Sequence, residues 1–236
     1  MQLTQNQIDS FNDRGVLKLS IGLDDAFIDT IVNKITPMYN QESFEQRHPG
    51  VRIQDGWKQI EEVRQLATNK NVLAALEQLF GRRALPFQTL NFPIGTGQLA
   101  HSDTLHFNSI PASFMVGVCV AMEDIDEDNG PLIYYPGSHK LEEYSMESFG
   151  LEAGYHNYAN YEQEIQKVLA EFKLEPEYGI ANKGDIIIWH ANLLHGGAPQ
   201  KDRARTRHSQ VTHYFFENCQ YYTPMNSTPT EKEMRE

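Results

Sequence analysis

The spacing of apolar residues changes at Leu85, and any fold for this chain must accommodate that change. Before it the period is helical. Thr4 followed by Gln7 is a capping-box pattern that opens a short helix ending at Gly15. Phe27, Ile28, Ile31, Val32 and Ile35 mark a second helix over 23–35, and a third spans 60–79 and stops at Gly81. After Leu85 come short β-branched or aromatic runs punctuated by Gly, Pro and Asn-Gly: PFQTLNFPIGTGQLAHSD, PASFMVGVCVAMEDI, GPLIYYPGSHK, KGDIIIWHANLLHGG and RHSQVTHYFF. This pattern predicts a mainly β fold with flanking helices, an antiparallel sandwich or barrel over 85–216 supported by the helical residues 1–82. One insertion interrupts the strands at about 144–176. Its polar, aromatic, largely helical stretch 146–174 suits either a lid over the barrel mouth or a helix packed on the outside. Residues 226–236 are polar and charged, which predicts a frayed end.

A chain of 236 residues with 40% hydrophobic content is long enough for one well-buried domain over 1–236 and short for two. Twenty Lys and Arg against 32 Asp and Glu give a formal charge of -12, which argues against nucleic acid as a partner, because phosphate affinity needs many cationic contacts. A small-molecule ligand remains open if a few cations converge on it. Neither Cys119 nor Cys219 belongs to a CxxC or zinc pattern, there is no leader-like N-terminus, and no apolar run approaches the ~20 residues of a membrane span. These features predict a cytoplasmic protein with no membrane segment.

His101 and Asp103 are separated by one residue, so on a strand both side chains leave the same face and can reach one metal. Alone, the pair reads more readily as a surface histidine beside a turn carboxylate. GDIIIWHANLLHGG changes that balance, because a buried strand there runs into a histidine followed by two glycines. Two imidazoles and one carboxylate leave one face of a metal open, the ligand set suited to non-haem iron(II) and to activation of O2. Glycines beside a ligand histidine let backbone and co-substrate approach closely. His195 is the third predicted ligand. His190, in the same motif, reads as a core histidine bonded to backbone.

Twelve residues past His195, the residues Arg207, Ser209, Val211, His213 and Phe215 share one strand face, so an arginine enters the barrel among apolar neighbours. A buried guanidinium needs an anion. A dicarboxylate that chelates the metal through a 2-oxo acid end presents its far carboxylate to such a group. Arg203 and Arg205, in the basic loop KDRARTR, read as solvated cations.

In order and spacing, HSD, DEDNGPLIYYPGSHK, GDIIIWHANLLHGG and the RHSQVTHY block at Arg207 resemble the phytanoyl-CoA dioxygenase family of iron(II)/2-oxoglutarate oxygenases, and LTQNQIDSFNDRGVLKL resembles its opening helix and strand. The resemblance implies a double-stranded β-helix (a jelly-roll, cupin-like barrel), iron(II) held by His101, Asp103 and His195, and 2-oxoglutarate anchored by Arg207. It also implies co-substrate contacts from Gln88 and Asn91. Two departures stand out. Gly197 lies where many relatives carry a hydroxyl, and the spacing from His195 to Arg207 is slightly long, which leaves Arg205 as a fallback anchor. Halogenating relatives lack the carboxylate, so Asp103 favours hydroxylation. His106 and Asn108 would put polar contacts near the iron, which points to a small or medium polar metabolite or a sugar-like group, with Trp189 as a further candidate substrate contact. Two other classes remain open: a non-catalytic, carbohydrate-type jelly-roll binding protein, and a cupin-like metalloenzyme that does not use 2-oxoglutarate.

Overall fold

The computed structural model describes residues 1–48, 50–228 and 230–235. Helix α1 (Gln5–Arg14) carries both bonds of the Thr4/Gln7 capping box and ends at Gly15, whose φ of 75° suits glycine. Helix α2 spans Asp25–Ile35, and a short α3 spans Gln41–Glu45. The stretch predicted as one helix over 60–79 forms two, α4 (Glu61–Ala67) and α5 (Lys70–Phe80). The Asn69 side chain accepts from the backbone N–H groups of Asn71 and Val72, so it starts a new helix rather than continuing the old one.

The strands are β1 (Val16–Ser20), β2 (Ile53–Gln54), β3 (Ala84–Phe92), β4 (Asn108–Ile110), β5 (Met115–Ala121), β6 (Leu132–Tyr134), β7 (Glu177–Tyr178), β8 (Asp185–His190), β9 (His195–Gly197), β10 (Ser209–Phe216), β11 (Gln220–Tyr222) and β12 (Met234–Arg235). The large sheet has the order β1-β8-β5-β10-β3-β2, antiparallel throughout, and smaller sheets run β7-β6-β9 and β12-β11-β4. Residues 226–236 were expected to fray. Instead β12 pairs with β11, and the Arg235 guanidinium donates to the Thr223 hydroxyl at 3.2 Å.

Strand alternation splits the large sheet into two environments. On one face Val116, Val118, Val120, Ile186, Ile188, Tyr214 and Phe216 pack under the helices, with Ile28, Ile31, Ile35, Val63, Leu66 and Leu76. On the other, Phe92, Cys119, Ile187, Trp189 and Val211 meet Leu132 and Tyr134 of β6, which makes the small sheet the opposite wall of a barrel. The insertion supplies helix α6 (Tyr158–Glu171). Its Tyr161, Ile165, Val168 and Leu169 are buried against Leu105, Leu194 and Met225, so this helix packs beside the barrel mouth.

His190 ends β8 on the helix-facing side, its ring stacked 6.4 Å from that of Phe80, and its Nδ1 accepts the Asn192 N–H at 3.1 Å. Burial, and then the neighbouring His139, lower its pKa from 6.5 to about 4. The unfolded chain therefore takes up that proton first, so the fold loses stability as pH falls from 6.5 toward 4. In denaturant titrations across that range, His190→Gln should flatten the decline by up to about 1.4 kcal/mol per pH unit; an unchanged slope would assign the acid sensitivity to other groups.

Candidate metal centre

His101 forms an isolated bridge with His195 through two backbone bonds, His101 N–H to His195 O at 2.9 Å and His195 N–H to His101 O at 3.0 Å. Strand β3 has ended at Phe92, and Asp103 opens a short 3-10 turn, Asp103–Leu105, capped by the Ser102 hydroxyl. The two residues thus converge through a bridge and a turn, rather than through the strand alternation expected of a His-x-Asp pair. His195 begins β9, in a different sheet from His190. The metal-binding atoms of His101, Asp103 and His195 all lie within 4.8 Å of one another, and all three residues are buried. His195 Nε2 is 3.7 Å from Asp103 Oδ1.

The donor set is ordered for a cation. His101 Nδ1 lies 3.0 Å from Leu99 O and His195 Nδ1 lies 2.8 Å from Leu193 O, so each ring donates to a carbonyl and keeps its Nε2 lone pair free. Burial, followed by repulsion from His195, holds His101 at about 3, neutral at physiological pH. For Asp103, burial pushes the carboxyl up but is outweighed by His195, His213, His101 and the Trp189 N–H, and the net value falls to about 2. Two imidazoles and one carboxylate suit a divalent ion with open positions.

The glycines after His195 answer a packing constraint. A Cβ on Gly196 would lie 2.6 Å from Gln98 O, and one on Gly197 would lie 2.5 Å from the Thr96 hydroxyl and 2.9 Å from the Gly97 nitrogen. The close approach is made by the chain at 96–100, which carries His101 toward β9. The Thr96 hydroxyl also fills the space a side chain at 197 would take, and Thr96 lines the inner cavity.

That inner cavity, about 120 Å³, is walled by the three candidate ligands, Trp189, Val211 and Arg207. Arg207 is 6% exposed, and its Nη1 donates to the Ser209 hydroxyl. Its Nε has no hydrogen-bond partner, and no carboxylate lies within ion-pair distance among the described residues. Burial pushes the guanidinium pKa down. Phe92 lies under it at 5.8 Å. Arg205 is held elsewhere, in a two-pronged pair with Asp126 at 2.8 and 2.7 Å, and does not line the cavity.

The remaining predicted residues divide. Gln88 lines a larger outer chamber, where its Oε1 lies 2.9 Å from His213 Nδ1. Asn91 points to the opposite, helix-facing side of β3, where it donates to Gln210 at 3.3 Å, because it is one residue out of phase with Leu90 and Phe92. That parity removes it from the co-substrate. Asn108 lies on β4, tied to Glu143 at 2.8 Å and outside both cavities, which corrects its assignment as a substrate contact. His106 lines the outer chamber between the rings of Tyr155 and Tyr158. Trp189 lies beside the metal site, and its Nε1–H donates to Asp103 Oδ2 at 2.8 Å. It can lie there because the facing residue is Gly117, where a Cβ would be 2.2 Å from the indole. His213, which carries no predicted role, faces Asp103 Oδ2 at 3.7 Å and lines both cavities. Its even spacing from Arg207 along β10 was the available signal.

Among known proteins, the family model for phytanoyl-CoA dioxygenase (PhyH) matches residues 16–209. The peroxisomal phytanoyl-CoA dioxygenase of Bos taurus is 26% identical over 181 residues, covering 72% of this chain and 50% of that protein. A probable phytanoyl-CoA dioxygenase of Caenorhabditis elegans is 27% identical over 157 residues, 63% of this chain and 47% of that protein. The chain spans about half the length of the curated relatives it matches. The epimerase SnoN from nogalamycin biosynthesis, solved with Fe3+, alpha ketoglutarate and nogalamycin RO, superposes with a TM-score of 0.72 at 15% identity over 98% of this chain and 95% of its own. EctD from S. alaskensis, solved with 2-oxoglutarate and 5-hydroxyectoine, gives 0.70 at 16% identity over 91% and 76%. These likenesses identify the barrel as a double-stranded β-helix. With the family match extending from β1 to the start of β10, the chain belongs to the phytanoyl-CoA dioxygenase family.

Proposed function

We propose that residues 1–236 form one oxygenase unit that uses iron(II), 2-oxoglutarate and O2 to hydroxylate a C–H bond of a small or medium polar metabolite. The observation that carries this reading is Arg207: a buried guanidinium without an anion among the described residues, in the same cavity as two imidazoles and a carboxylate. Burying such a charge unpaired costs several kcal/mol, roughly, so it is retained where a ligand supplies the anion. The cavity of about 120 Å³ has room for on the order of ten water-sized groups, which suits the ten non-hydrogen atoms of 2-oxoglutarate. A cupin-type centre without that co-substrate, or a plain binding module, would leave Arg207 unexplained.

When bound, iron(II) with 2-oxoglutarate and O2 supplies the oxidising chemistry, in which the co-substrate becomes succinate and carbon dioxide and one oxygen atom passes to the substrate. The chain's own residues do the rest. His101 and His195 present Nε2, with their Nδ1–H groups fixed on carbonyls. Asp103 contributes the negative charge, oriented by Trp189. Its presence supports hydroxylation over halogenation. Arg207 offers paired donors to the distal carboxylate, while Phe92, Ile187 and Val211 keep water from the cavity. Both cysteines are free thiols, which supports a cytoplasmic protein. No helix among the described residues is long and apolar enough to cross a membrane.

The direct test is succinate formation that requires Fe(II), 2-oxoglutarate and O2 together, and that is lost in His195→Ala; turnover in that variant would reassign the ligand. Arg207→Met, close in volume but uncharged, should raise the 2-oxoglutarate KM by roughly 10- to 100-fold while apo-protein stability holds or rises. An unchanged KM would remove Arg207 from the co-substrate site. Trp189→Phe should weaken Fe(II) binding by about 10- to 100-fold in anaerobic titration, and an unchanged Kd would reduce the indole to packing.

A further inference from the structure

Above the metal site lies the outer chamber, about 690 Å³, with His101, Asp103 and His213 shared between it and the inner cavity. Leaving aside Asp103 and the histidines, its lining carries two charged side chains, Arg52 and Glu162. They come from different parts of the chain. Arg52 immediately precedes β2 at the edge of the large sheet, and Glu162 lies on α6 of the insertion.

Helix α6 is built to present Glu162 inward. Tyr161, Ile165 and Val168 form its buried stripe, and Tyr158 and Glu162, four residues apart, form the neighbouring chamber-facing one. The Glu162 carboxylate accepts from Gln98 at 3.4 Å, and Gln98 also donates to the Tyr158 hydroxyl at 3.0 Å. No cation lies within ion-pair distance of it among the described residues. Glu164 on the same helix, by contrast, is paired with Lys167 at 2.6 Å. Burial pushes the Glu162 carboxyl up, an effect that an arriving cation reverses. Arg52 is solvent-exposed and has neither a carboxylate nor a side-chain hydrogen bond among the described residues. The same chamber carries aromatic faces. The Tyr158 ring lies 5.1 Å and the Tyr155 ring 6.2 Å from that of His106, and the Tyr158 ring lies 6.4 Å from His101.

We propose that this chamber takes a small zwitterion of the amino-acid class, its ammonium received by Glu162 and the tyrosine faces and its carboxylate by Arg52. The inference rests on the oxygenase reading above and names the substrate class for that site. Two charges of opposite sign on one chamber, neither in an ion pair among the described residues, are matched by a ligand carrying both, and each becomes a charge-assisted hydrogen bond when water leaves. Tyrosine faces add attraction for an ammonium group. A neutral sugar would leave both charges uncompensated. A long acyl thioester bearing several phosphates would find one guanidinium where it needs several cations.

The test uses the wild-type protein loaded with Fe(II) and 2-oxoglutarate. The probes are proline, leucine, glutamine, γ-aminobutyrate and 5-aminovalerate at millimolar concentration, each beside its N-acetyl derivative and its carboxamide, with glucose and succinamide as neutral controls. Thermal unfolding under nitrogen reads binding, and succinate release in air reads stimulation. At least one free zwitterion should bind roughly tenfold or more tightly than either derivative. Glu162→Gln should bring the N-acetyl compound to within about threefold of its parent, and Arg52→Gln should do the same for the carboxamide, each variant keeping the other discrimination. The proposal is overturned if no zwitterion in the panel binds, if the neutral controls bind as well, or if both discriminations survive in the variants. Failure of the oxygenase reading shows differently. Succinate release by the wild type would then not depend on Fe(II), whereas zwitterion binding measured by unfolding would stand.

Discussion

Two backbone hydrogen bonds, exchanged between His101 and His195, hold the site together. Those residues are 94 positions apart in the chain, and the bridge makes them neighbours before any metal arrives. The bridge sets both imidazoles within reach of one point. It requires the chain at 96–100 to lie flat against β9, which leaves no space for side chains at Gly196 and Gly197. It also delivers Asp103 to a turn beneath Trp189, where the indole N–H takes the carboxylate oxygen turned away from His195. Pre-organisation of this kind removes much of the ordering cost of binding an ion. Loss of the bridge would cost the metal site both its orientation and its floor.

The electrostatics of the inner cavity follow from what is and is not paired. Asp103 is buried among His101, His195, His213 and the Trp189 N–H, which together stabilise its charge. Arg207 is buried with a hydroxyl on one nitrogen and nothing on Nε among the described residues. A fold that keeps a cation in this state is less stable empty than loaded, because a ligand that meets the guanidinium binds only the native chain and adds its binding energy to the fold. The charge of -12 is no obstacle to an anionic co-substrate, since the potential that matters is local to a cavity lined by apolar walls.

Much of this was legible in the sequence, for identifiable reasons. Residue type together with strand parity pointed to Arg207, since a cation in phase with Val211 and His213 enters the barrel. His195 was marked by a buried strand ending in two glycines. The ligand pair was found by its spacing, although the geometry that unites it is a bridge and a turn. Asn91 failed because family precedent gave a location near β3 while parity gave the face, and parity decides the direction of a side chain. Asn108 failed because nearness in sequence to Asp103 says nothing once a 3-10 turn intervenes. Trp189 and His213 act on Asp103 from other strands, across separations of 86 and 110 residues, and no local pattern encodes such contacts.

The division of the large sheet into two faces explains how one set of strands can serve stability and chemistry at once. Along β5, Val116, Val118 and Val120 pack under the helices, while Gly117 and Cys119 face the barrel. Gly117 is an absence with a purpose, since the indole that steadies Asp103 occupies the volume its side chain would need. In β8 the same alternation sends Ile186 and Ile188 to the helices and Ile187 and Trp189 inward. A change of size on the helix-facing side is absorbed by a broad apolar layer and costs mainly packing energy. A change of equal size at Gly117 displaces the indole instead. It reaches the candidate ligand Asp103 through one hydrogen bond, so the inner face tolerates less variation than its modest share of the core would suggest.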